Sequence, residues 1–141
     1  MKVAKGNETL NIGCVYDDIR NNIRTLTKIE ELLDRMDAKQ GLIIAGDYNV
    51  IVNENLDQFG YENNHHRTKA VKVHTDWEKS GTLIDIYRKK FKNGKAITYV
   101  PDTEQHSENP KLGRRLDKCL VTEELNIKQA KSRHIRNNHH K

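Results

Sequence analysis

The strongest constraint on the fold is a change of apolar period in the first third of the chain. Residues 9–16 alternate apolar and polar or small side chains, the period of a β-strand. In residues 22–36 apolar side chains recur every three or four positions, as in an amphipathic helix, and Gly41 follows as a stop. The aliphatic run at residues 42–45 predicts a short strand buried on both faces. Strand, helix and strand in this order predict a crossover unit and therefore an α/β fold.

Weaker patterns divide the rest of the chain. Residues 52–68 and 102–113 are polar and predict surface loops. A second helix is predicted from Ala70 to Gly81, a short buried turn or helix at residues 83–87, and strands at residues 96–100 and 116–121. Residues 122–125 have the pattern of a capped helical turn. No internal repeat is present, and 141 residues fit one domain.

Composition predicts a thin core. The hydrophobic set that includes Tyr and Cys makes up 35% of the chain. Counting Gly instead of Tyr raises this share to only about 37%, below the typical value of about 45–50%. The longest aliphatic run is too short to cross a bilayer, and residues 1–10 lack a secretory pattern, so we expect an intracellular protein without a membrane partner. Cys14 and Cys119 lie in strand-like stretches and are expected to be reduced, buried thiols.

The positive charge is concentrated at the C-terminal end. The net charge is +5, and residues 126–141 contain five cations and no acid, so the preceding residues balance at zero. Such a tail is equally compatible with phosphate contacts and with a solvated end. The candidate nucleic-acid-binding residues are Lys128, Lys131, Arg133 and Arg136.

The segment Gly46-Asp47-Tyr48-Asn49 directly follows the predicted strand at residues 42–45. Ligands of open α/β sheets bind outside the carboxyl ends of strands, so Asp47 and Asn49 stand where catalytic groups often stand. The same residues are also good turn formers, because Asp and Asn side chains bond nearby backbone groups. Both interpretations stay open from this segment alone.

A second segment, Arg114-Arg115-Leu116-Asp117, begins the last predicted core strand. Together the two segments resemble the endonuclease/exonuclease/phosphatase superfamily of metal-dependent phosphodiesterases. Residues 83–87, 98–99 and 121–125 are most similar to the endonuclease domains of non-LTR retrotransposons. The resemblance covers residues 10–141.

The resemblance implies roles for four residues. Asp47 would orient or deprotonate the attacking water, and Asn49 would hold the phosphate or the water nearby; both are also the implied metal ligands. Tyr16 matches a family tyrosine that contacts a phosphate oxygen, although Asp18 replaces the proline two residues later. Asp117 matches a carboxylate that orients the family's closing histidine. Because the family brings the two core strands side by side, we predict that the carboxyl ends of the strands at residues 42–45 and 116–121 meet around one cleft. The structural alternatives are a strand-end aromatic for Tyr16 and a salt bridge to Arg114 or Lys118 for Asp117.

The chain matches the family less well at the closing histidine and in the N-terminal part of the fold. Either His139 or His140 can align with that histidine, and the aspartate that precedes it in the family is missing. A frayed tail is the alternative for this pair, and the other histidines are expected on the surface. The family's metal-holding glutamate has no counterpart here, so we expect the C-terminal half of a four-layer α/β/β/α sandwich.

The resemblance implies Mg²⁺- or Mn²⁺-dependent hydrolysis of nucleic acid, most simply DNA, and a nuclear location if the chain derives from a retroelement. A missing half or a partner chain would cover the exposed sheet face. The alternatives are an inactive remnant that at most binds nucleic acid and a phosphatase for a small phosphoester.

Overall fold

The predicted α/β class is confirmed by a computed structural model that describes residues 1–5, 8–17, 22–37, 40–61, 69–123 and 125. The helices are α1 (Asn22–Asp34), α2 (Glu54–Asp57), α3 (Lys69–Ser80) and α4 (Ile86–Lys90). The strands are β1 (Lys2–Lys5), β2 (Glu8–Tyr16), β3 (Gln40–Asp47), β4 (Gln58–Phe59), β5 (Ile84–Asp85), β6 (Gly113–Arg114) and β7 (Asp117–Val121).

Five strands form one mixed sheet in the order β1-β2-β3-β7-β5. Strands β2 and β3 are parallel neighbours joined through α1, which confirms the predicted crossover unit. Strand β7 pairs antiparallel with β3, and β1 and β5 pair antiparallel with their neighbours. Strands β4 and β6 form a separate two-stranded ribbon.

The core lies between one face of this sheet and the helices. Leu42 and Ile44 of β3 are buried against a cluster that contains Leu26 of α1 and Trp77 of α3. Because side chains alternate along a strand, the apolar run of β3 contributes every second residue to this core. The helix-covered face therefore holds the main hydrophobic cluster.

The opposite face is not covered by any described helix over β1 to β3. Val15 of β2 points into the core, which places Ile12, Cys14 and Tyr16 on the other face by alternation. Tyr16 is 85% exposed, and Cys14 is exposed. The prediction of a buried thiol is therefore wrong for Cys14, whereas Cys119 is half-buried; both thiols are free. The more apolar side of β2 is the side that the helices leave uncovered.

Local departures from the predicted elements follow from tertiary contacts. The predicted loop at residues 52–68 contains α2 and β4, and residues 62–68 lie outside the described residues. The predicted strand at residues 96–100 is reduced to a single bridge between Tyr99 and Arg114. Residues 83–87 divide between β5 and α4. No helix among the described residues is long and apolar enough to cross a membrane.

Candidate active site

Three of the predicted site residues lie in one row across the sheet. Tyr16 of β2 is the register partner of Asp47 of β3, and Asp47 is the register partner of Asp117 of β7. Adjacent strands lie about 5 Å apart, so the row spans about 10 Å. Asp47 and Asp117 occupy directly opposed positions of this antiparallel pair, where Cβ atoms typically lie about 4.5–5.5 Å apart.

The polarity of β7 differs from the prediction. The carboxyl ends of the two core strands were expected to meet, but β7 is antiparallel to β3, so its amino end lies beside the end of β3. Because Asp117 is the first residue of β7, this arrangement still brings it next to Asp47. The predicted proximity of the two residues is right, and the predicted strand direction is wrong.

A strained backbone places Asp47 at the end of β3. Gly46 has φ +145°, and a Cβ atom there would lie 1.9 Å from the backbone oxygen of Val15, so only glycine fits. Asp47 accepts a hydrogen bond from the Asp17 N–H through its backbone oxygen, at 2.9 Å. The backbone of β3 therefore lies very close to the end of β2 immediately before Asp47.

Asn49 completes a tight turn beside Asp47. Its backbone N–H donates to Asp47 Oδ1 at 2.8 Å, and its φ of +48° lies in the left-handed region that Asn tolerates. Its side-chain nitrogen donates to the backbone oxygen of Asp17. The turn interpretation of Gly46-Asp47-Tyr48-Asn49 is therefore confirmed, and the Asn49 amide is held near Asp47 by it.

Asp117 is exposed, and its backbone is fixed by a neighbouring loop. The Thr98 hydroxyl accepts from the Leu116 N–H at 3.0 Å and from the Asp117 N–H at 3.1 Å. The alternative of a salt bridge is not found: Arg114 stacks on the Tyr61 ring at 3.8 Å. Lys118 points to the other side of the sheet, where its ammonium donates to the Val50 backbone oxygen. Within the part of the chain that the structure describes, Asp117 forms no ion pair.

The described residues offer an incomplete set of metal ligands. No group of three or more His, Cys, Asp or Glu side chains comes together among them. Asp47 and Asp117 supply two carboxylates, a number that Mg²⁺ accepts when waters and substrate phosphates fill its remaining positions. Asn49 offers only its side-chain oxygen, since its nitrogen donates to Asp17. The site therefore fits a substrate-dependent Mg²⁺ and does not fit an ion held by protein alone.

Six predicted site residues lie outside the described residues. They are His139, His140, Lys128, Lys131, Arg133 and Arg136.

Behind the row, on the helix-covered face, lies a buried ionic network that no sequence motif indicates. Asp57 is 1% exposed and accepts from Arg115 Nε at 2.9 Å and from an Arg88 nitrogen at 2.5 Å. Arg115 also donates to Asp85 at 2.5 Å. Burial alone would raise the pKa of Asp57, but the Arg115 guanidinium holds that pKa below its usual value. These contacts tie α2, α4 and the start of β7 together.

A cavity of about 300 Å³ adjoins this network and is lined by two further buried polar groups, His74 and Lys118. Burial lowers the pKa of Lys118 to about 8 and that of His74 to about 3. His74 was expected on the surface, but it packs edge-on against Tyr48 and Trp77, with ring centroids 5.2 Å and 5.3 Å away. Its helical spacing with Ala70 and Trp77 was the signal that it belongs to the buried side of α3.

Compared with protein-family models and with curated proteins, the chain matches none of them.

Proposed function

We propose that this protein is a Mg²⁺-dependent phosphodiester hydrolase of the endonuclease/exonuclease/phosphatase type that acts on DNA. The observation that carries the proposal is the row of Tyr16, Asp47 and Asp117 across three adjacent strands. Like charges placed directly opposite each other destabilise a sheet, so two opposed carboxylates that form no ion pair among the described residues favour a functional explanation. The two motifs that carry the family resemblance thus meet at one end of the sheet.

In this proposal each residue has a role that follows from the chemistry of its side chain. Asp47 accepts the proton of the attacking water, which a carboxylate can do and an amide cannot. Asn49 presents a neutral amide that does not repel the anionic phosphate, and Tyr16 offers its hydroxyl to a phosphate oxygen. Asp117 orients His139 or His140. A bound Mg²⁺ would supply charge stabilisation to the phosphate.

The open sheet face supports the expectation of a half sandwich. Val3 is 46% exposed on a face that also carries half-buried Ile12 and Ile43. In a complete sandwich such a face is covered by a second sheet. We therefore propose that a further segment or a partner chain covers it.

An inactive remnant is the second candidate, because the described residues assemble no three-ligand metal group. A phosphatase for a small phosphoester would use the same row. The test for the first proposal is cleavage of supercoiled plasmid DNA with and without Mg²⁺, and a small aryl phosphate serves as the rival substrate.

We expect Asp47→Asn and Asp117→Asn each to lower plasmid cleavage by about 10²–10⁴-fold, because the first removes the proton acceptor and the second removes the carboxylate that orients the histidine. Asp76→Asn, at an exposed position of α3, is the matched control and should cleave like the wild type. Equal activity of all four proteins would exclude the row as the catalytic centre. Absence of any Mg²⁺-dependent cleavage by the wild type would favour the remnant.

A further inference from the structure

A basic and aromatic segment lies beside the candidate site. Residues 87–99, here called the basic segment, contain five Lys and Arg residues and no Asp or Glu. The segment includes α4 from Tyr87 onward and the turn that follows it. The net charge of residues 1–125 is zero, so the overall charge of this part of the chain does not reveal the positive charge of the basic segment.

One of the five cations organises the segment and leaves the others exposed. Arg88 donates to the backbone oxygens of Phe91, Lys92 and Gly94, at 3.4, 3.1 and 2.8 Å. The same guanidinium is anchored to buried Asp57. Lys89, Lys92 and Lys95 are exposed. Because Arg88 fixes the turn, these lysines project from an ordered backbone, which reduces the entropy lost on binding a ligand.

Aromatic rings accompany these charges. Phe91 is 44% exposed and packs beside Tyr87, with ring centroids 5.0 Å apart. Tyr99, at the far end of the segment, is 42% exposed. Exposed aromatic faces among lysines are the arrangement on which unpaired bases stack while the lysines contact phosphates. Bases in a duplex are already stacked on each other, so this arrangement favours a single strand.

A groove joins the basic segment to Asp117, which is one end of the row formed by Tyr16, Asp47 and Asp117, here called the carboxylate row. The groove has a volume of about 310 Å³, and its lining includes Tyr87, Phe91, Thr98, Gly46, Asp117 and Cys119. Thr98 also holds the backbone of Asp117. A strand bound along the basic segment would therefore be directed toward Asp117.

We propose that the basic segment binds single-stranded nucleic acid and leads it through this groove to the carboxylate row. The proposal rests on the proposed function for its substrate class, and it deepens that function by naming the binding surface. Lysine contacts to phosphates provide most of the affinity, and stacking on Phe91 provides the preference for unpaired bases.

The test measures binding without hydrolysis, by fluorescence anisotropy of an oligothymidylate of about 12 nucleotides in EDTA. The variant Lys89→Gln/Lys92→Gln/Lys95→Gln loses three phosphate contacts. At 0.1 M salt its Kd should rise by about 100-fold, and the slope of log Kd against log salt should fall by about 2. Phe91→Leu keeps an apolar side chain but loses the ring, so its Kd should rise by about tenfold with the salt slope unchanged.

The matched control is Lys28→Gln/Lys72→Gln/Lys79→Gln, which removes the same charge from exposed positions of α1 and α3. Its Kd should change by less than about threefold, because salt screens charges beyond the Debye length. Circular dichroism confirms folding of each variant, and the substituted lysines are exposed, so little loss of stability is expected.

Three results would overturn the proposal. Equal weakening by the two triple variants would mean that only net charge matters. Loss of binding on substitution of Lys128, Lys131, Arg133 and Arg136, with no effect of the basic-segment variant, would assign binding to the C-terminal end. Binding of phosphatidylserine-containing vesicles but not of the oligonucleotide would identify the segment as a membrane-contact surface. Because no arm requires cleavage, failure of the hydrolase proposal leaves this test intact.

Discussion

His74 illustrates how burial fixes the charge state of a single residue. The imidazole is 6% exposed, and its Nε2 has no hydrogen-bond partner among the described residues. Burial, and then the charges of Lys118 and Arg115, lower its pKa to about 3. The neutral ring therefore belongs to the folded state over the whole physiological range, and protonation must accompany unfolding in acid.

We expect this residue to make the protein acid-sensitive. Because the folded pKa lies below the unfolded value, the unfolded state binds the extra proton, so stability falls as the pH drops through the range from 6.5 to 3. Between pH 7 and pH 4 the loss from His74 alone is about 3 kcal/mol. Urea unfolding at both pH values should show a loss smaller by about that amount in His74→Phe, which keeps a ring between Tyr48 and Trp77. An equal loss in both proteins would contradict this account.

At the residue scale, the sequence was informative where chemistry and position coincide. Asp47 and Asp117 were identified because each follows or begins an apolar strand, and the structure brings them together. The buried positions of Lys118 and Asp57 were not predicted, because a local sequence pattern assigns a charged side chain to the surface. Their burial depends on partners far along the chain, such as the carbonyl group of Val50 and the guanidinium of Arg115.

At the scale of elements, the end of β3 depends on one glycine. The backbone oxygen of Val15 occupies the space that any side chain at position 46 would need. This close approach of β2 and β3 positions Asp47 between Tyr16 and Asp117.

We expect Gly46→Ala to destabilise the protein by at least about 2 kcal/mol, because it adds a steric clash to an unfavourable φ. Gly13→Ala is the matched control: its Cβ would lie 3.6 Å from Ile44, an ordinary contact, and its φ carries no penalty. Thermal unfolding of both variants measures the difference. A melting temperature for Gly46→Ala equal to that of Gly13→Ala would mean that β3 ends differently in solution.

The helices and core strands were predictable because their apolar periods extend over many residues, as in α1 and α3. The direction of β7 was not, because strand polarity is set by the partner and the connection rather than by the strand's own sequence. Residues 96–100 do not form the predicted strand for a related reason. Tyr99 makes only one bridge, to Arg114, and the Thr98 hydroxyl accepts a hydrogen bond from the backbone N–H of Leu116.

At the scale of the whole molecule, the two sheet faces differ in accessibility. The helices cover the face with Leu42 and Ile44, whereas Cys14 and Tyr16 stand on the uncovered face. The two thiols therefore report on different environments. Cys119 is half-buried, and burial raises its pKa, which lowers its reactive thiolate fraction.

We expect Cys14 to react with a bulky maleimide at nearly the rate measured in urea, and Cys119 to react at least about tenfold more slowly. Mass spectrometry of timed samples distinguishes the two sites, and Cys14→Ser should remove the fast phase. Strong protection of Cys14 in the native protein would show that another surface covers this face in solution.

The pairing of β3 with β7 has a consequence for synthesis on the ribosome. Ile43 pairs with Val121, so the second edge of the central strand stays unpaired until almost all of the described sequence has emerged. Contacts so distant in sequence form slowly, because a long loop must close before they contribute. Until then, the unpaired edge of β3 can form hydrogen bonds with strands of other nascent chains. A pause that holds residues 117–121 inside the ribosome should therefore favour aggregation, whereas a pause after these residues have emerged should not.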